Sequence, residues 1–242
     1  MPRADRVVTI SESSGRDIEE FLHIPEERID VIHLGVGDEY FADVTKQVAR
    51  QYVATRLHVP NRYILYVGAI EHPNKNLVRL LQAYDQARTA MGVTHDLVFA
   101  GPKRYRPEIV MAEIERLGLQ DCVHCLGYVP KEDLPYLYAG ADIFVYVSLW
   151  EGFGLPVLEA MAAGTPVITS NTSSLPEVVG NAGILVDPQN VPEIAAAVAT
   201  LLSDTETQQA MACAGLERAR TFTWKRSAQR LLQVFENVGV RK

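Results

Sequence analysis

Residues 143–161 read IFVYVSLWEGFGLPVLEAM, and this stretch decides the fold. The apolar run Ile143–Val147 is typical of a buried strand, and the loop Ser148–Gly154 that follows it contains two glycines. Pro156 suits the first turn of a helix, which we expect over Val157–Ala163. A buried strand, a glycine-containing loop and a helix in this order form one unit of a parallel α/β sheet.

The same alternation continues through most of the chain. Short runs of β-branched and aromatic residues alternate with amphipathic segments, such as the one in which Leu77, Leu80, Leu81 and Tyr84 repeat at helical spacing. The strands are almost continuous in apolar residues, as in a parallel sheet that helices cover on both faces. The sequence therefore predicts a doubly wound α/β domain. The predicted strands are Arg6–Ile10, Ile29–His33, Tyr63–Val67, Asp96–Ala100, Cys122–Leu126, Ile143–Val147, Pro166–Thr169 and Ile184–Val186.

The C-terminal part of the chain departs from this alternation. Val191–Val238 reads as consecutive helices with little strand potential. Breaks are expected near Ser203–Asp204 and at Thr221–Thr223, where a threonine side chain can cap the next helix. We expect these extra helices to pack across the flank of the sheet domain.

The first forty residues form a short unit of a different kind. A predicted strand, a helix and a second strand lead into the turn-rich segment Leu34–Asp38, which contains two glycines. A turn of this kind suits a linker. We therefore expect residues 1–38 to stand apart from the main domain, residues 39–242, and to pair with elements outside this chain.

The composition excludes some functions. The chain is 48% hydrophobic and 22% charged, and its net charge of −7 argues against a nucleic-acid partner, because phosphate backbones bind surfaces rich in lysine and arginine. No run reaches the roughly 18 apolar residues that span a bilayer. Met1–Thr9 also lacks the apolar centre of a signal peptide. We expect a cytoplasmic chain, and peripheral docking at a membrane surface stays open.

The cysteines do not indicate a metal or redox site. Cys122 and Cys125 have the spacing of a C-x-x-C pair, but they lie in a predicted strand. Residues three apart on a strand point to opposite faces, so the two sulfurs should diverge. We expect both to be small structural residues.

Glycines follow the ends of several predicted strands. Gly68, Gly101 and Gly127 each follow a strand, and the loop Ser148–Gly154 follows another. The carboxyl ends of parallel strands share one edge, where open α/β sheets bind ligands. Glycine lets a ligand approach the backbone closely there, although turns also use glycine for their geometry alone. The repetition favours a shared binding edge.

Charged residues cluster along the same predicted edge. Glu151 lies in the loop and Glu159 about one turn into the helix, whose free amides and dipole favour a diphosphate. Carboxylates repel phosphate, so this pair makes sense if each accepts hydrogen bonds from neutral hydroxyls, one on a sugar and one on a ribose. Lys75 lies near another helix N-terminus, against its dipole, which indicates that it serves an anion. The alternative is that all three are solvated surface charges.

Several segments resemble a large family of retaining glycosyltransferases that have the two-domain GT-B fold. The pair Glu151 and Glu159, with seven residues between them, lies in EGFGLPVLEAMAAGTPVI, which looks like the signature of that family. Residues 65–77 match its lysine motif, and residues 175–188 contain two further matching segments. The resemblance implies a Rossmann-like sheet that is the C-terminal, donor-binding half of the fold. Residues 1–38 would then be the last strand and helix of an N-terminal acceptor domain, followed by the linker.

The resemblance also implies roles for individual residues. Glu151 would contact hydroxyls of the donor sugar, Glu159 would hold the ribose, and Lys75 would neutralise the departing diphosphate. The base would lie against the backbone near Tyr128 and Val129. The remaining donor-binding positions are Gly152, Phe153, Gly154, Leu155, Gly68 and Gly101. Such enzymes take a UDP- or GDP-hexose as substrate, retain the anomeric configuration and need no metal or other cofactor.

Two departures from the family pattern matter. Many relatives carry an arginine after the glycine of the lysine motif, where this chain has Ala69, and Lys103 or Arg104 is the candidate substitute. The N-terminal acceptor domain is also absent from the sequence. Either the polypeptide is part of a longer one, or another chain supplies that domain. Alone, the chain is expected to bind donor and to transfer sugar poorly.

Three functions are consistent with the sequence. The leading one is the donor-binding half of a hexosyltransferase, of a type that resembles mannosyl- and glucosyltransferases, acting on an acceptor that is free or membrane-associated. The second is a catalytically incomplete nucleotide-sugar-binding module or partner subunit. The third is a related GT-B epimerase or phosphorylase, which the lack of a lysine-rich cofactor site disfavours. Among the histidines only His72, close to Lys75, is a candidate phosphate contact.

Overall fold

A six-stranded parallel sheet forms the centre of the computed structural model, which describes residues 4–41 and 44–239. The six strands are β3 (Tyr63–Val67), β4 (Asp96–Ala100), β5 (Val123–Gly127), β6 (Ile143–Tyr146), β7 (Val167–Ser170) and β8 (Ile184–Val186). In space they follow the order β5-β4-β3-β6-β7-β8. The chain enters the sheet in the middle, adds strands toward one edge, returns to the middle and adds strands toward the other.

Helices connect these strands and cover both faces of the sheet. They are α2 (Lys46–Leu57), α3 (Leu77–Met91), α4 (Pro107–Arg116), α5 (Leu134–Gly140), α6 (Leu155–Ala162), α7 (Leu175–Val179) and α8 (Val191–Ser203). α3 packs against α8, and α2 packs against α5. The predicted doubly wound α/β fold is confirmed.

The sheet is buried because its strands are apolar on both faces. Tyr63, Ile64, Leu65 and Tyr66 of β3 are all 1% exposed or less, as a central parallel strand requires. The hydroxyls of Tyr63 and Tyr66 both have acceptors, since a buried polar group without one is costly. The hydroxyl of Tyr63, for example, donates to the carbonyl of Leu137 at 2.7 Å.

The N-terminal residues form a second, two-stranded sheet. Strand β1 (Val7–Thr9), helix α1 (Glu12–Leu22) and strand β2 (Ile29–Val31) make a parallel unit in which β1 pairs with β2. One short 3-10 helix, Glu26–Arg28, lies between α1 and β2, and a second, Asp38–Phe41, follows β2. Pairing of this unit with elements outside the chain stays a prediction, as does the division into residues 1–38 and 39–242. Residues 1–3 of the first range, and residues 42–43 and 240–242 of the second, lie outside the described residues.

The C-terminal helices begin and end near the predicted breaks. Helix α9 (Thr205–Ala219) begins after Asp204, whose side chain accepts a hydrogen bond from the Thr207 amide at 3.0 Å. Helix α10 (Trp224–Gly239) follows the break at Thr221–Thr223. α9 packs against α6 and α8, as expected for a helix on the flank. α10 instead reaches the N-terminal unit.

Contacts at the start of α10 direct it away from the main sheet. The hydroxyl of Ser227 donates to the carbonyl of His33 at 2.6 Å, and the amide of Val36 donates to the carbonyl of Phe222 at 3.2 Å. α10 therefore crosses from the main sheet to the segment that follows β2. Its outer face leaves Leu232 and Phe235 59% and 63% exposed.

Some predicted boundaries differ from those in the structure. α6 begins at Leu155, two residues earlier than predicted, because Gly154 adopts a left-handed conformation with φ 111° and ends the loop there.

Cys122 is buried ahead of β5 and Cys125 is exposed, and both thiols are free. The two sulfurs therefore diverge as expected. Among the described residues, no helix combines the length and the apolar character needed to cross a bilayer.

A group of charged side chains surrounds His95 at the amino edge of the sheet. The carboxylate of Asp142 accepts from the Tyr63 amide at 3.1 Å and from Arg50 at 2.5 Å. His95 is 5% exposed, and its Nε2 lies 3.2 Å from Arg62. Burial lowers the pKa of His95 below its usual value, Arg62, Arg50 and Lys46 lower it further, and Asp142 opposes them.

We predict that this histidine makes the fold less stable in mild acid. The unfolded chain binds a proton at His95 as the pH falls below about 6.5, while the folded chain resists it. Stability is therefore fully present above about pH 6.5 and decreases below it, by at most about 1.4 kcal/mol per pH unit. Urea unfolding at pH 6.5 and 5.0 should show a smaller loss in His95→Gln than in the wild type. His58→Asn, at an exposed position outside the cluster, is the control. Equal losses in His95→Gln and the wild type would contradict the prediction.

Candidate functional site

The site lies at the carboxyl edge of the sheet, between β3 and β6. These strands are neighbours in space, but the chain leaves β3 toward one side of the sheet and β6 toward the other. Such a reversal opens a crevice beyond the carboxyl ends of the two strands, which is where open α/β sheets bind ligands. The loop after β3 carries Lys75, and the loop after β6 carries Glu151.

Two asparagines bind these two loops together. The amide of Leu149 donates to the carbonyl of Asn74 at 2.9 Å, and the Asn74 side chain donates to the carbonyl of Trp150 at 3.1 Å. Asn76 is buried in a left-handed conformation with φ 57°, and its Nδ2 donates to the carbonyl of Val147 at 2.9 Å. Asparagine tolerates that conformation better than most residues. Sequence reasoning gave neither asparagine a role, and the polar residues flanking Lys75 were the available signal.

Lys75 and Glu151 meet across the crevice. The ammonium Nζ of Lys75 lies 2.7 Å from Oε1 of Glu151 and donates to the hydroxyl of Tyr146 at 3.1 Å. The side chains of Lys75 and Glu151 are only 16% and 13% exposed. The view of these two residues as solvated surface charges is therefore wrong. The anion that faces Lys75 in this structure is the carboxylate of Glu151.

Tyr146 is the third member of this group, and sequence reasoning missed it. Its ring stacks on Tyr66 at 5.5 Å and on Phe144 at 5.8 Å between centroids, and Lys75 Nζ lies 5.6 Å from its centroid. Burial raises the pKa of Tyr146 well above its usual value, and the nearby charge of Glu151 adds to the effect. The phenol therefore stays neutral and offers Lys75 an acceptor.

Two serines hold the main chain of Glu151. The Glu151 amide donates to Oγ of Ser173 at 3.1 Å, and the Ser173 hydroxyl donates to the Glu151 carbonyl at 2.6 Å. The hydroxyl of Ser174 donates to the carbonyls of Glu151 and Phe153 at 2.9 and 2.8 Å. The loop after β6 is therefore fixed from the segment that precedes α7. A pair of adjacent serines before a helix was the only sequence signal for this function.

Glu159 lies in a different environment from Glu151. The hydroxyl of Tyr138, which is fully buried, donates to Oε2 of Glu159 at 2.7 Å. Burial raises the pKa of the Glu159 carboxyl, and hydrogen bonds from Tyr138 and Tyr40 oppose that rise. Glu159 is thus a half-buried carboxylate that faces hydroxyl groups, which the view of it as a helix-surface charge did not anticipate.

A row of aromatic rings connects the surroundings of the two carboxylates. Tyr138 and Phe144 have centroids 5.4 Å apart, and Phe144 stacks on Tyr146. Tyr138 contacts Glu159 at one end of the row, and the Lys75 ammonium that binds Tyr146 contacts Glu151 at the other. The structure therefore joins Glu151 and Glu159 through the floor of the site and gives them different polar partners.

The loop before α6 offers main-chain donors. Gly154 has φ 111°, and a Cβ there would lie 2.7 Å from the Leu175 side chain, so only glycine fits. Among the residues that the structure describes, none accepts a hydrogen bond from the amides of Gly152, Phe153 or Gly154. Phe153 is 3% exposed, so its side chain supports the loop from below. Leu155 begins the helix, and these amides together with the helix dipole can bind an anion.

The other predicted donor contacts lie along the same edge. Gly101 has φ 147°, and a Cβ there would lie 2.0 Å from the carbonyl oxygen of Gly68. The close packing of the loops after β3 and β4 is therefore enough to require glycine at position 101, whether or not a ligand binds there. After β5, Tyr128 is 76% exposed and Val129 is 6% exposed. A binding role for these four residues stays a prediction.

The loop after β4 runs beside the loop after β3. Ile70 forms a parallel bridge with Lys103, and the Arg104 amide donates to the carbonyl of Ile70 at 3.0 Å. Lys103 and Arg104 are both exposed, next to the segment that contains Ala69. His72 is half-buried and donates its amide to the carbonyl of Tyr105 at 3.0 Å. Phosphate contacts by these side chains remain predictions.

The described residues form no group of three or more His, Cys, Asp or Glu side chains that could hold a metal ion. The charge in the crevice is instead supplied by Lys75 and by the main-chain donors before α6. That arrangement can bind a phosphate group, and the two glutamates can accept hydrogen bonds from hydroxyls. Whether the activity is independent of metal stays a prediction.

Comparisons with known proteins agree with this geometry. The family model described as glycosyl transferases group 1 matches residues 52–218. The chain is 35% identical over 237 residues to the O-antigen chain mannosyltransferase B of Escherichia coli, covering 96% of this chain and 61% of that protein. It is 31% identical over 239 residues to the MMP alpha-(1->4)-mannosyltransferase of Mycolicibacterium hassiacum, covering 97% and 54%.

A solved structure extends the comparison to the fold. The sucrose-phosphate synthase from Thermosynechococcus elongatus superposes with a TM-score of 0.85 at 25% identity, covering 99% of this chain and 60% of that one. The predicted Rossmann-like half of a GT-B fold is confirmed. The chain spans 61% of the length of the Escherichia coli relative and 54% of the mycobacterial one.

We predict that Lys75 and Glu151 stabilise each other strongly. Removing one member of a buried pair leaves the other uncompensated, so a double-mutant cycle with Lys75→Met and Glu151→Gln should give a coupling energy of about 2 kcal/mol. Urea unfolding of the four proteins measures it. The control is the exposed pair Lys131 and Glu39, in which Nζ lies 2.8 Å from Oε1 and the side chains are 75% and 40% exposed. Its coupling energy should be less than about 1 kcal/mol. Equal coupling energies in the two pairs would show that burial does not strengthen the interaction between Lys75 and Glu151, and would contradict the prediction.

Proposed function

The chain belongs to the glycosyl transferases group 1, and on that premise we propose that it binds a nucleoside-diphosphate hexose in the crevice between β3 and β6. The hexose is transferred to an acceptor with retention of the anomeric configuration and without a metal. The observation that carries the proposal is the Lys75 ammonium, held at 2.7 Å from Glu151 beside main-chain donors that have no partner among the described residues.

Lys75 and the loop before α6 would bind the diphosphate. The ammonium has two acceptors, Glu151 and Tyr146, and both fix it at the carboxyl edge of β3 and β6. The amides of Gly152, Phe153 and Gly154 and the dipole of α6 add positive potential on the other side of the crevice. A phosphate oxygen between them gains charge-assisted hydrogen bonds from both.

The two glutamates would hold neutral hydroxyls. Oε1 of Glu151 accepts from Lys75, and the carboxylate has further lone pairs that can accept from a hydroxyl of the donor sugar. Glu159, beside the hydroxyls of Tyr138 and Tyr40, is suited to the ribose. The base would lie against the backbone at Tyr128 and Val129.

The transfer step needs electrostatic stabilisation more than a protein nucleophile. The bond between the anomeric carbon and the phosphate oxygen breaks, and the acceptor oxygen forms the new glycosidic bond. The acceptor proton goes to the departing phosphate. Lys75 stabilises the charge that develops on the diphosphate, which is a contribution of the kind that dominates many enzymatic rate enhancements.

Mannose is the sugar that the comparisons favour. Two relatives, 35% and 31% identical to this chain, carry the name mannosyltransferase. The nucleotide base of the donor is guanine or uracil, and binding of GDP- and UDP-sugars distinguishes the two. A regulatory nucleotide-sugar-binding module is the second candidate. The chain covers only 61% of the length of the Escherichia coli relative. This favours the binding module for the chain alone, since we propose that acceptor binding needs a further domain.

The outer face of α1 and α10 is where such further structure would pack. Phe21 and Leu22 of α1 are 65% and 53% exposed, and Leu232 and Phe235 of α10 are 59% and 63% exposed. Large apolar side chains that are exposed on both helices favour an interaction surface. The proposed partner is an acceptor-binding domain that brings a free or membrane-associated acceptor to the crevice.

We predict that the chain binds a nucleoside-diphosphate mannose or glucose, as measured by calorimetry with a panel of GDP- and UDP-sugars. Glu159→Ala removes a charged hydrogen-bond acceptor and should weaken binding by about tenfold to a hundredfold. Lys75→Ala should weaken it by a similar factor, because the diphosphate loses its ammonium. Glu206→Ala and Lys225→Ala, which remove exposed charges on α9 and α10, should bind as the wild type does. Binding of no nucleotide sugar, or unchanged binding by both site variants, would refute the site.

Transfer by the isolated chain separates the two candidate functions. We predict that the chain alone transfers hexose far more slowly than the full-length Escherichia coli relative does with that relative's own acceptor, because the chain matches only 61% of that protein's length. Release of free nucleoside diphosphate and of glycosylated product is measured side by side. Transfer at the rate of the full-length relative would show that no further domain is needed. Donor binding with no turnover, even after an acceptor-binding domain is added, would favour the binding module.

A further inference from the structure

Glu177, in the segment LPEVV, has contacts that donor binding does not explain. Its Oε2 accepts from the amide of Glu12 at 2.8 Å, and its Oε1 accepts from the amide of Ser13 at 3.1 Å. Nε2 of His33 lies 3.1 Å from Oε2. The side chain is only 17% exposed, and these hydrogen bonds lower the pKa of Glu177 against the opposing effect of burial. A carboxylate of the main domain thus binds the first turn of α1 in the N-terminal unit.

The contacts of Glu177 complete the capping of α1. The first amides of a helix lack partners within the helix. Glu177 accepts from the amides of Glu12 and Ser13, while Oγ of Ser11 accepts from the amide of Ser14 at 3.0 Å. Two residues therefore share one function, but only one of them belongs to the main domain. This division offers a way to separate helix capping from any effect on the site.

The segment that carries Glu177 also holds the donor loop. Ser173 and Ser174, a few residues earlier, hydrogen-bond to the main chain of Glu151. His33, which contacts the Glu177 carboxylate, packs its ring 5.8 Å from the ring of Phe153 in the same loop. Residues 173–177 therefore connect α1 and the linker on one side to the loop Glu151–Gly154 on the other.

A third contact fixes the end of this segment. The guanidinium of Arg218, on α9, donates to the carbonyls of Glu177 and Val178 at 2.7 and 3.1 Å. The main chain at residue 177 is thus held by Arg218, and its side chain by α1 and His33. A shift of the N-terminal unit relative to the sheet would pull on the Glu177 side chain. Ser173 and Ser174, which bind the main chain of Glu151, lie only four and three residues earlier in the same segment.

We propose that Glu177 is a positioning residue for the donor loop. By binding the first turn of α1 and His33, it holds residues 173–177 in the position at which Ser173 and Ser174 fix the main chain of Glu151. The inference rests on the proposed function for its effect on donor affinity. It also predicts an effect on the loop that needs no donor.

The test compares Glu177→Gln with Ser11→Ala. Both variants remove one part of the α1 cap and should lower the unfolding temperature by a few degrees, as loss of a cap does. Only Glu177→Gln acts on residues 173–177, so only this variant should weaken binding of the tightest-binding GDP- or UDP-hexose, by about tenfold. The Glu151 amide donates to Oγ of Ser173, so its hydrogen exchange, measured without donor, should be faster in Glu177→Gln alone.

Each outcome bears on one claim. Equal donor affinity and equal exchange in both variants would mean that Glu177 only caps α1, and the inference would be wrong. If the wild type binds no nucleotide sugar, the proposed function fails, and the exchange measurement still decides the role of Glu177. If Glu177→Gln does not fold, His33→Phe replaces it. This variant keeps a ring against Phe153, loses the bond to Glu177 and should show a smaller effect, about threefold in affinity.

Discussion

The contact between Lys75 and Glu151 is the interaction on which the rest of the site depends. It joins the loops after two strands that are adjacent in the sheet but far apart in the chain. Two charges that are 16% and 13% exposed have lost much of their hydration, and such a pair is stable only when further hydrogen bonds surround it. The hydroxyl of Tyr146 accepts one from Lys75, and the bonds between Asn74 and the main chain of Leu149 and Trp150 hold the two loops together. The crevice is therefore held open in one geometry before any ligand enters.

The floor beneath this pair gives the two glutamates different properties. The row of rings from Tyr146 through Phe144 to Tyr138 is part of the close-packed core, since all three side chains are 2% exposed or less. At one end Glu151 faces an ammonium, and at the other Glu159 faces phenol hydroxyls in a buried setting that raises its pKa. The same residue type thus has two kinds of partner, and the difference arises from the floor on which each lies. A ligand with a charged centre and neutral hydroxyls on both sides matches that arrangement.

Much of the fold followed from local patterns. The strands at Tyr63–Val67 and Asp96–Ala100 lie where the apolar runs predicted them, because a strand buried on both faces has a composition that few other structures share. Boundaries next to special backbone conformations were less accurate, as at α6, where the left-handed Gly154 moved the helix start to Leu155. The course of α10 was missed for another reason. Its amphipathic pattern predicts a helix, but only the bonds of Ser227 and Val36 direct it toward the N-terminal unit.

The sequence by itself determined the class of fold, the edge at which glycines gather, and the identity of the three charged residues at that edge. These features depend on residue type and on spacing within one strand-to-helix unit, which periodicity and motifs express directly. Only the tertiary structure decided that Lys75 pairs with Glu151 and Tyr146, that Tyr138 donates to Glu159, and that Glu177 binds the start of α1. Those contacts join residues 76, 71, 21 and 165 positions apart. Such pairs are set by the order of strands in the sheet and by the packing of helices upon it, and local sequence patterns do not encode that order.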